Sequence, residues 1–164
     1  MRIKIKTMKK LILIRHAKAT HQTGYADFER PLKPSGMQDA AAMAARLREA
    51  GFMPDLLVSS PALRTITTAN IFSEHLSLQP ANTDMRIYNA EEDTLLDVVN
   101  ELPSAYNAIA LIGHNPGISQ LLYYYTGHLR DMETCAVAVI EFGVKNWADT
   151  GRKSGVAVYY SSPV

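Results

Sequence analysis

The sequence predicts an α/β fold: a three-layer sandwich with a central, mostly parallel sheet and helices on both faces. Short apolar segments recur at residues 11–14, 56–59, 109–112, 136–142 and 156–160, each with the length and composition of a buried strand. Longer stretches with helical spacing separate the first three. That alternation is what a parallel sheet requires, because each crossover needs a helix. At 164 residues the chain is the size of one domain. A single domain over residues 1–164 is therefore expected, with residues 1–8 a disordered or variable extension and Met8 an alternative start.

The elements between the strands follow from local chemistry. The first helix is expected near Ser35, where Ser35 and Gln38 have capping-box spacing. Met37, Ala40, Ala41, Ala44 and Leu47 would share its inner face, and Gly51 would end it. Ser60 followed by Pro61 reads as a cap with proline at the first helical position. That helix would carry Leu63, Ile66 and Ala69 towards Leu76. Asn115 and Pro116 repeat the device. Residues 93–101 suggest a further short helix, and the polar stretch 145–155, with Gly151 and Gly155, a hairpin turn. The connection 17–34 is unusually long for a compact domain unless it serves a site, and it begins next to His16.

Composition narrows the function. Lys plus Arg number 17 against 16 Asp plus Glu, a net charge of +1, so no global field recruits nucleic acid or a membrane. No apolar run approaches the ~20 residues of a membrane span. The first ten residues carry five basic side chains, but the apolar run after them is too short for a signal-peptide core, and a cytoplasmic location is expected. Cys135 is the sole cysteine, which rules out an internal disulfide or a cysteine zinc cluster and suggests inert packing. His21, His75 and His128 have no supporting spacing and read as surface or loop residues. The run Tyr123, Tyr124, Tyr125 marks either a partner surface or a helix passing from core to solvent.

Chemistry concentrates where apolar strands end. Arg15 and His16 follow the first strand, Ser60 the second and His114 the third, and ligands of open α/β sheets bind at that edge. Arg64, one turn into the helix after Ser60, would overhang it. Two histidines and at least two arginines, with no carboxylate pair or cysteine to hold a metal, suit an anion. Arginine offers planar donors matched to phosphate, and a neutral histidine can attack phosphorus to form a covalent intermediate. A second histidine can donate to an oxygen on which charge builds.

Arg15-His16-Ala17 resembles the Arg-His-Gly signature of the histidine phosphatase superfamily, with alanine in the glycine position. Arg30-Pro31-Leu32 with Gly36, Ser60-Pro61-Ala62-Leu63-Arg64 with Thr67 and Ala69, and Gly113-His114-Asn115-Pro116 follow in the family's order. The bacterial phosphohistidine phosphatases known as SixA are the branch most resembled. The resemblance implies a phosphoglycerate-mutase-like fold, His16 as nucleophile, Arg15 and Arg64 as phosphate-binding arginines and His114 as the second pocket histidine. Arg30 would be a fifth member, or would only pin its loop to the sheet. Ser60, Asn115 and Lys18 are further candidates for substrate contact. The methyl of Ala17 is expected to narrow the pocket. Larger members carry an acidic proton donor on an inserted segment; here Asp27, Glu91 and Glu92 are the candidates, with Asp27 preferred.

These readings imply a monomeric phosphatase that needs no metal or cofactor, acts on a phosphoprotein or a small phosphorylated substrate and releases inorganic phosphate. Phosphohistidine on a signalling or phosphotransfer protein is the leading substrate. A small-molecule phosphomonoesterase is the first alternative. The second is a phosphate or phosphopeptide binding module without turnover.

Overall fold

The structure, a computed structural model, describes residues 9–163; the proposed extension 1–8 and Met8 lie outside them. The apolar runs form β1 (Lys9–Arg15), β2 (Leu56–Ser59), β4 (Ala108–Gly113), β5 (Val137–Phe142) and β6 (Gly155–Ser161). A two-residue strand, β3 (Asn82–Thr83), completes one sheet of order β3-β2-β4-β1-β5-β6. The strands β1 to β4 run parallel, whereas β5 is antiparallel to β1, and β6 to β5. The fold is therefore the mixed α/β sandwich expected.

Four helices cover it: α1 (Pro34–Glu49), α2 (Leu63–His75), α3 (Glu92–Asn100) and α4 (Gly117–Thr126). Alternation along β1 divides the core. Leu11 and Leu13 pack with Val99, Leu121, Tyr125 and Trp147 on the α3/α4 side, and Ile12 and Ile14 with Met43, Leu47 and Phe72 on the α1/α2 side. A strand covered on both faces reads as a continuous apolar run, which is why β1 and β4 stood out.

Helix starts differ from expectation by a few residues. Helix α1 begins at Pro34, with Lys33 at the cap and no side-chain cap bond. Ser35 falls inside its first turn. The buried face is Gly36, Ala40, Met43, Ala44 and Leu47, and Met37 is exposed. Gly51 ends the helix as expected, in the left-handed region with φ +84°. Ser60 and Pro61 precede α2 in a turn in which Ser60 Oγ accepts from the Ala62 amide, 3.2 Å, and Pro116 lies before Gly117 of α4. Helix α3 is displaced from expectation by one residue. The polar stretch 145–155 does join β5 to β6, but it also buries Trp147, whose Nε1 donates to Tyr106 O at 3.0 Å. Across the tyrosine run, Tyr125 is buried and Tyr123 exposed, as for a helix passing from core to solvent.

Gly36 explains part of the wall formed by residues 17–34. A Cβ there would stand 2.3 Å from Lys18 O, so only glycine lets the first turn of α1 press against the backbone just beyond His16. Lys33 N donates to Lys18 O, 2.9 Å, and Thr20 N to Pro31 O, 2.9 Å. The wall is thus a hydrogen-bonded double layer with a single 3-10 turn at Asp27–Glu29. Among the described residues, no helix is long and apolar enough to cross a membrane.

Candidate active site

The parallel strands deliver their C-terminal ends to one pocket of about 270 Å³. It is lined by Arg15, His16, Lys18, Ala19, His21, Arg30, Lys33, Arg64, Asn89, His114, Asn115 and Thr134. Register explains the convergence. Arg15 of β1 pairs with Gly113 of β4, so His16 and His114 leave neighbouring strands at the same level, and their ring centroids lie 5.3 Å apart.

The backbone around His16 is tied on several sides. Its amide donates to Gly113 O, 3.1 Å, and its carbonyl accepts from Cys135 N, 3.0 Å. The next amide, Ala17 N, donates to Thr68 Oγ1, 3.0 Å, and Thr68 Oγ1 donates to Arg64 O, 2.7 Å. Thr68 therefore couples α2 to the loop that follows His16. Ala17 itself packs in the α1/α2 core, so its methyl does not narrow the pocket as expected.

Side-chain geometry sets the protonation of both histidines. His16 Nδ1 lies 2.8 Å from Ala17 O. A carbonyl only accepts, so Nδ1 carries the hydrogen and Nε2 keeps its lone pair. Ser60 Oγ accepts from Ala62 N and lies 2.9 Å from His114 Nε2. We assign Ser60 as the donor in that pair, which places the hydrogen of His114 on Nδ1, a buried atom without a partner. Burial, reinforced by Arg64 and Arg15, pushes the His16 imidazole down to about 4. Burial, with Arg64 and His16 beside it, takes His114 down to about 3. Both rings are neutral at pH 7, one holding a lone pair and the other a donor.

The arginines show a matching pattern. Arg15 Nη1 donates to Met132 O at 2.8 Å, and Arg64 Nη1 and Nη2 donate to Asp27 O and Oδ2 at 2.7 and 3.1 Å. The Nε of each is buried without a partner. Buried donors are almost always satisfied. Three unpartnered atoms around one pocket therefore describe a site shaped to take an acceptor from a ligand.

The remaining candidates separate. Ser60 positions His114. Asn115 donates its amide to Asp131 Oδ1 and Met132 O, 2.8 and 2.9 Å, and so braces the loop that also holds Arg15. Arg30 donates to Thr20 O at 2.9 Å and to Asp27 Oδ1 at 3.2 Å; it both lines the pocket and ties its wall. Lys18 is exposed at the mouth. Glu91 and Glu92 line a neighbouring groove with Asn89, Ala90, Asp93, Pro116 and Gln120. The residues 85–90 bring in Tyr88 and Asn89, which no motif announced. Tyr88 donates to Asp27 Oδ2, 2.6 Å, and stands edge-on to His114 with centroids 5.6 Å apart. His21, read as a loop residue, belongs to the pocket wall beside Arg30; Lys33 and Thr134 also lacked a local signal.

Cys135 lies directly beneath the site. Its amide donates to both Arg15 O and His16 O, and burial pushes its thiol up to about 12. Among the described residues, no three His, Cys, Asp or Glu side chains gather as a metal-ligand set.

A pocket of neutral histidines and tethered arginines at the C-terminal edge of a parallel sheet defines a phosphoryl-binding α/β protein. The sequence model of the histidine phosphatase superfamily (branch 1) matches residues 11–91, and the chain belongs to that superfamily, in its SixA-like branch. A solved structure from Nakamurella multipartitia, named as a phosphohistidine phosphatase SixA, is 25% identical with TM-score 0.84, covering 95% of this chain and 96% of that one. An uncharacterised protein of Mycobacterium tuberculosis is 30% identical over 109 residues, 66% of each chain; the chain thus spans about two thirds of that relative's length. A mycobacterial glucosyl-3-phosphoglycerate phosphatase, 14% identical with TM-score 0.64 over 94% of this chain and 97% of that one, shares the fold.

Proposed function

We propose that this chain is a phosphatase that acts through a phosphohistidine on His16, and that its substrate is phosphohistidine on a signalling or phosphotransfer protein. One observation carries the reading: a neutral His16 with its Nε2 lone pair free faces three unpartnered buried donors, Arg15 Nε, Arg64 Nε and His114 Nδ1. In the first step Nε2 attacks phosphorus as the bond to the leaving group breaks. The three donors meet the equatorial oxygens, on which negative charge is carried through the transition state. In the second step water attacks phosphorus, the bond to His16 breaks, and inorganic phosphate leaves with His16 restored.

The leaving group decides between substrates. An alkoxide departs poorly without a proton donor, whereas the imidazole of phosphohistidine can take a proton from water near its ordinary pKa of ~6.5 and leave neutral. General acid catalysis typically contributes ~100-fold to 10,000-fold, so a site without an acid should disfavour alkyl esters by about that factor. The cavity would also hold a small phosphate ester, and the metabolite phosphatase remains the competing reading.

The test compares a phosphohistidine peptide, nitrophenyl phosphate and an alkyl phosphate. Efficient turnover of the first two and at least ~100-fold weaker turnover of the third is expected. Comparable efficiency on the alkyl ester, lost in Glu91→Gln or Glu92→Gln, would move the reading to the metabolite phosphatase. Chelators should leave turnover unchanged, and inhibition reversed by added metal would overturn the metal-independent chemistry.

A further inference from the structure

We propose that Asp27 is a positioning residue for the pocket arginines and not its proton donor; this rests on the phosphatase reading above. Its carboxylate is a three-way junction. Oδ2 accepts from Arg64 Nη2 at 3.1 Å and from the Tyr88 phenol at 2.6 Å, and Oδ1 accepts from Arg30 Nε at 3.2 Å. The backbone carbonyl of the same residue accepts from Arg64 Nη1 at 2.7 Å. One residue thus joins the wall loop, α2 and the segment between β3 and α3.

The junction solves a physical difficulty of the site. Arginine carries about 2 kcal/mol of side-chain rotational entropy, and Arg64 and Arg30 are like charges in one pocket. The carboxylate lies between them and offsets their repulsion, and Asp27 holds both terminal nitrogens of Arg64, Nη2 through its carboxylate and Nη1 through its backbone carbonyl. This leaves Arg64 Nε, buried and unpartnered, as the donor kept for the phosphoryl group. The Tyr88 ring completes the clamp, with the Arg64 guanidinium carbon 5.9 Å from its centroid. Donors fixed before the ligand arrives need no reorganisation during reaction.

The same bonds remove Asp27 from acid chemistry. Donation from Tyr88, with Arg64 beside it, draws its carboxyl down to about 2. At pH 7 only about one molecule in 100,000 would carry the proton that a general acid must deliver. A positioning role and an acid role therefore predict different dependence on the leaving group.

The experiment measures kcat and KM of wild type, Asp27→Asn and Tyr88→Phe with nitrophenyl phosphate and an alkyl phosphate, and the inhibition constant of inorganic phosphate for each. Positioning predicts that Asp27→Asn raises KM and the phosphate inhibition constant on the order of tenfold, by the same factor for both esters, with the acid limb of the pH profile unmoved. Tyr88→Phe, which keeps the carboxylate and removes one tether, should move the same constants about twofold to threefold. A loss in kcat confined to the alkyl ester would make Asp27 the acid and overturn the proposal. Unchanged phosphate inhibition in a folded Tyr88→Phe would overturn it even if Asp27→Asn failed to fold. A wild type that neither turns over these esters nor binds phosphate would instead overturn the phosphatase reading, and this inference with it.

Discussion

The two ends of β1 bury basic groups in opposite ways. At the N-terminal end, Lys9 is 1% exposed and its Nζ donates to Ser104 O, Tyr106 O and Asn107 Oδ1 at 2.7, 3.3 and 2.8 Å. An ammonium has three hydrogens, and all three are taken. Roughly 20 Å along the strand, Arg15 Nε, Arg64 Nε and His114 Nδ1 are equally hidden from solvent and have nothing. Burying a polar group without a partner costs roughly 1–3 kcal/mol. Among the described residues that cost is borne three times at one end and not around Lys9. Burial of a basic group marks structure when its donors are filled and a binding site when they are left open.

The comparison can be broken most directly at the nucleophile. His16→Ala should abolish turnover, because the attacking lone pair is assigned to His16 Nε2, and wild type quenched without acid should carry phosphate on His16. Substantial residual activity would mean that the open end holds a different nucleophile. His114→Ala and Arg64→Ala should each cost on the order of a hundredfold in turnover, as for loss of one preorganised donor. The double variant should lose less than the product, since both act on one transition state. Full additivity would assign one of them to holding the fold, as Lys9 does.

The filled end should show the reverse profile. Lys9→Ala takes the donor from Ser104 O and Asn107 Oδ1, leaves Tyr106 O with Trp147 Nε1 alone and opens a void beside Trp147; it should lower stability by roughly 2–4 kcal/mol in denaturant titration, with turnover per folded molecule unchanged. A stable Lys9→Ala would erase the distinction between the two ends. A further effect is one of pH. The folded-state values of His16 and His114, about 4 and about 3, lie below the ordinary 6.5. Between 6.5 and 4 the unfolded chain therefore takes up protons that the folded chain does not. Stability present above pH 6.5 should fall through that window, and the double variant His16→Ala/His114→Ala should show a flatter profile. Melting temperatures measured from pH 7 to 4 test this; parallel curves would show that the rings are not held neutral.

The open end was the more legible of the two in sequence. Arg15, His16 and His114 adjoin apolar runs that a two-face-covered sheet makes continuous, so strand ends located them. Lys9 adjoins the same run and was counted only as a basic residue of the N-terminal stretch, because its acceptors lie 95 to 98 residues away. Distance also hid Tyr88, 61 residues from Asp27, and disguised Ser60, whose hydroxyl serves a histidine 54 residues on while its sequence neighbours suggested a helix cap. Trp147 was hidden differently, by a polar context that placed it in a turn. β3 left no trace, since two exposed residues have no room for a pattern. Local chemistry revealed what each segment is; which segment completes which site depended on pairings that no window of sequence contains.

Cys135 gives the site a property separate from phosphate chemistry. Phosphatases that use a thiolate nucleophile are vulnerable to peroxide and to alkylating reagents, because the thiolate is the reactive form. In the reaction proposed for His16 the attacking atom is nitrogen, and the sole sulfhydryl is sealed under the pocket with its thiolate suppressed. A chemistry of that kind has no thiolate for peroxide to attack, so peroxide at levels that oxidise a catalytic thiolate should leave turnover unchanged.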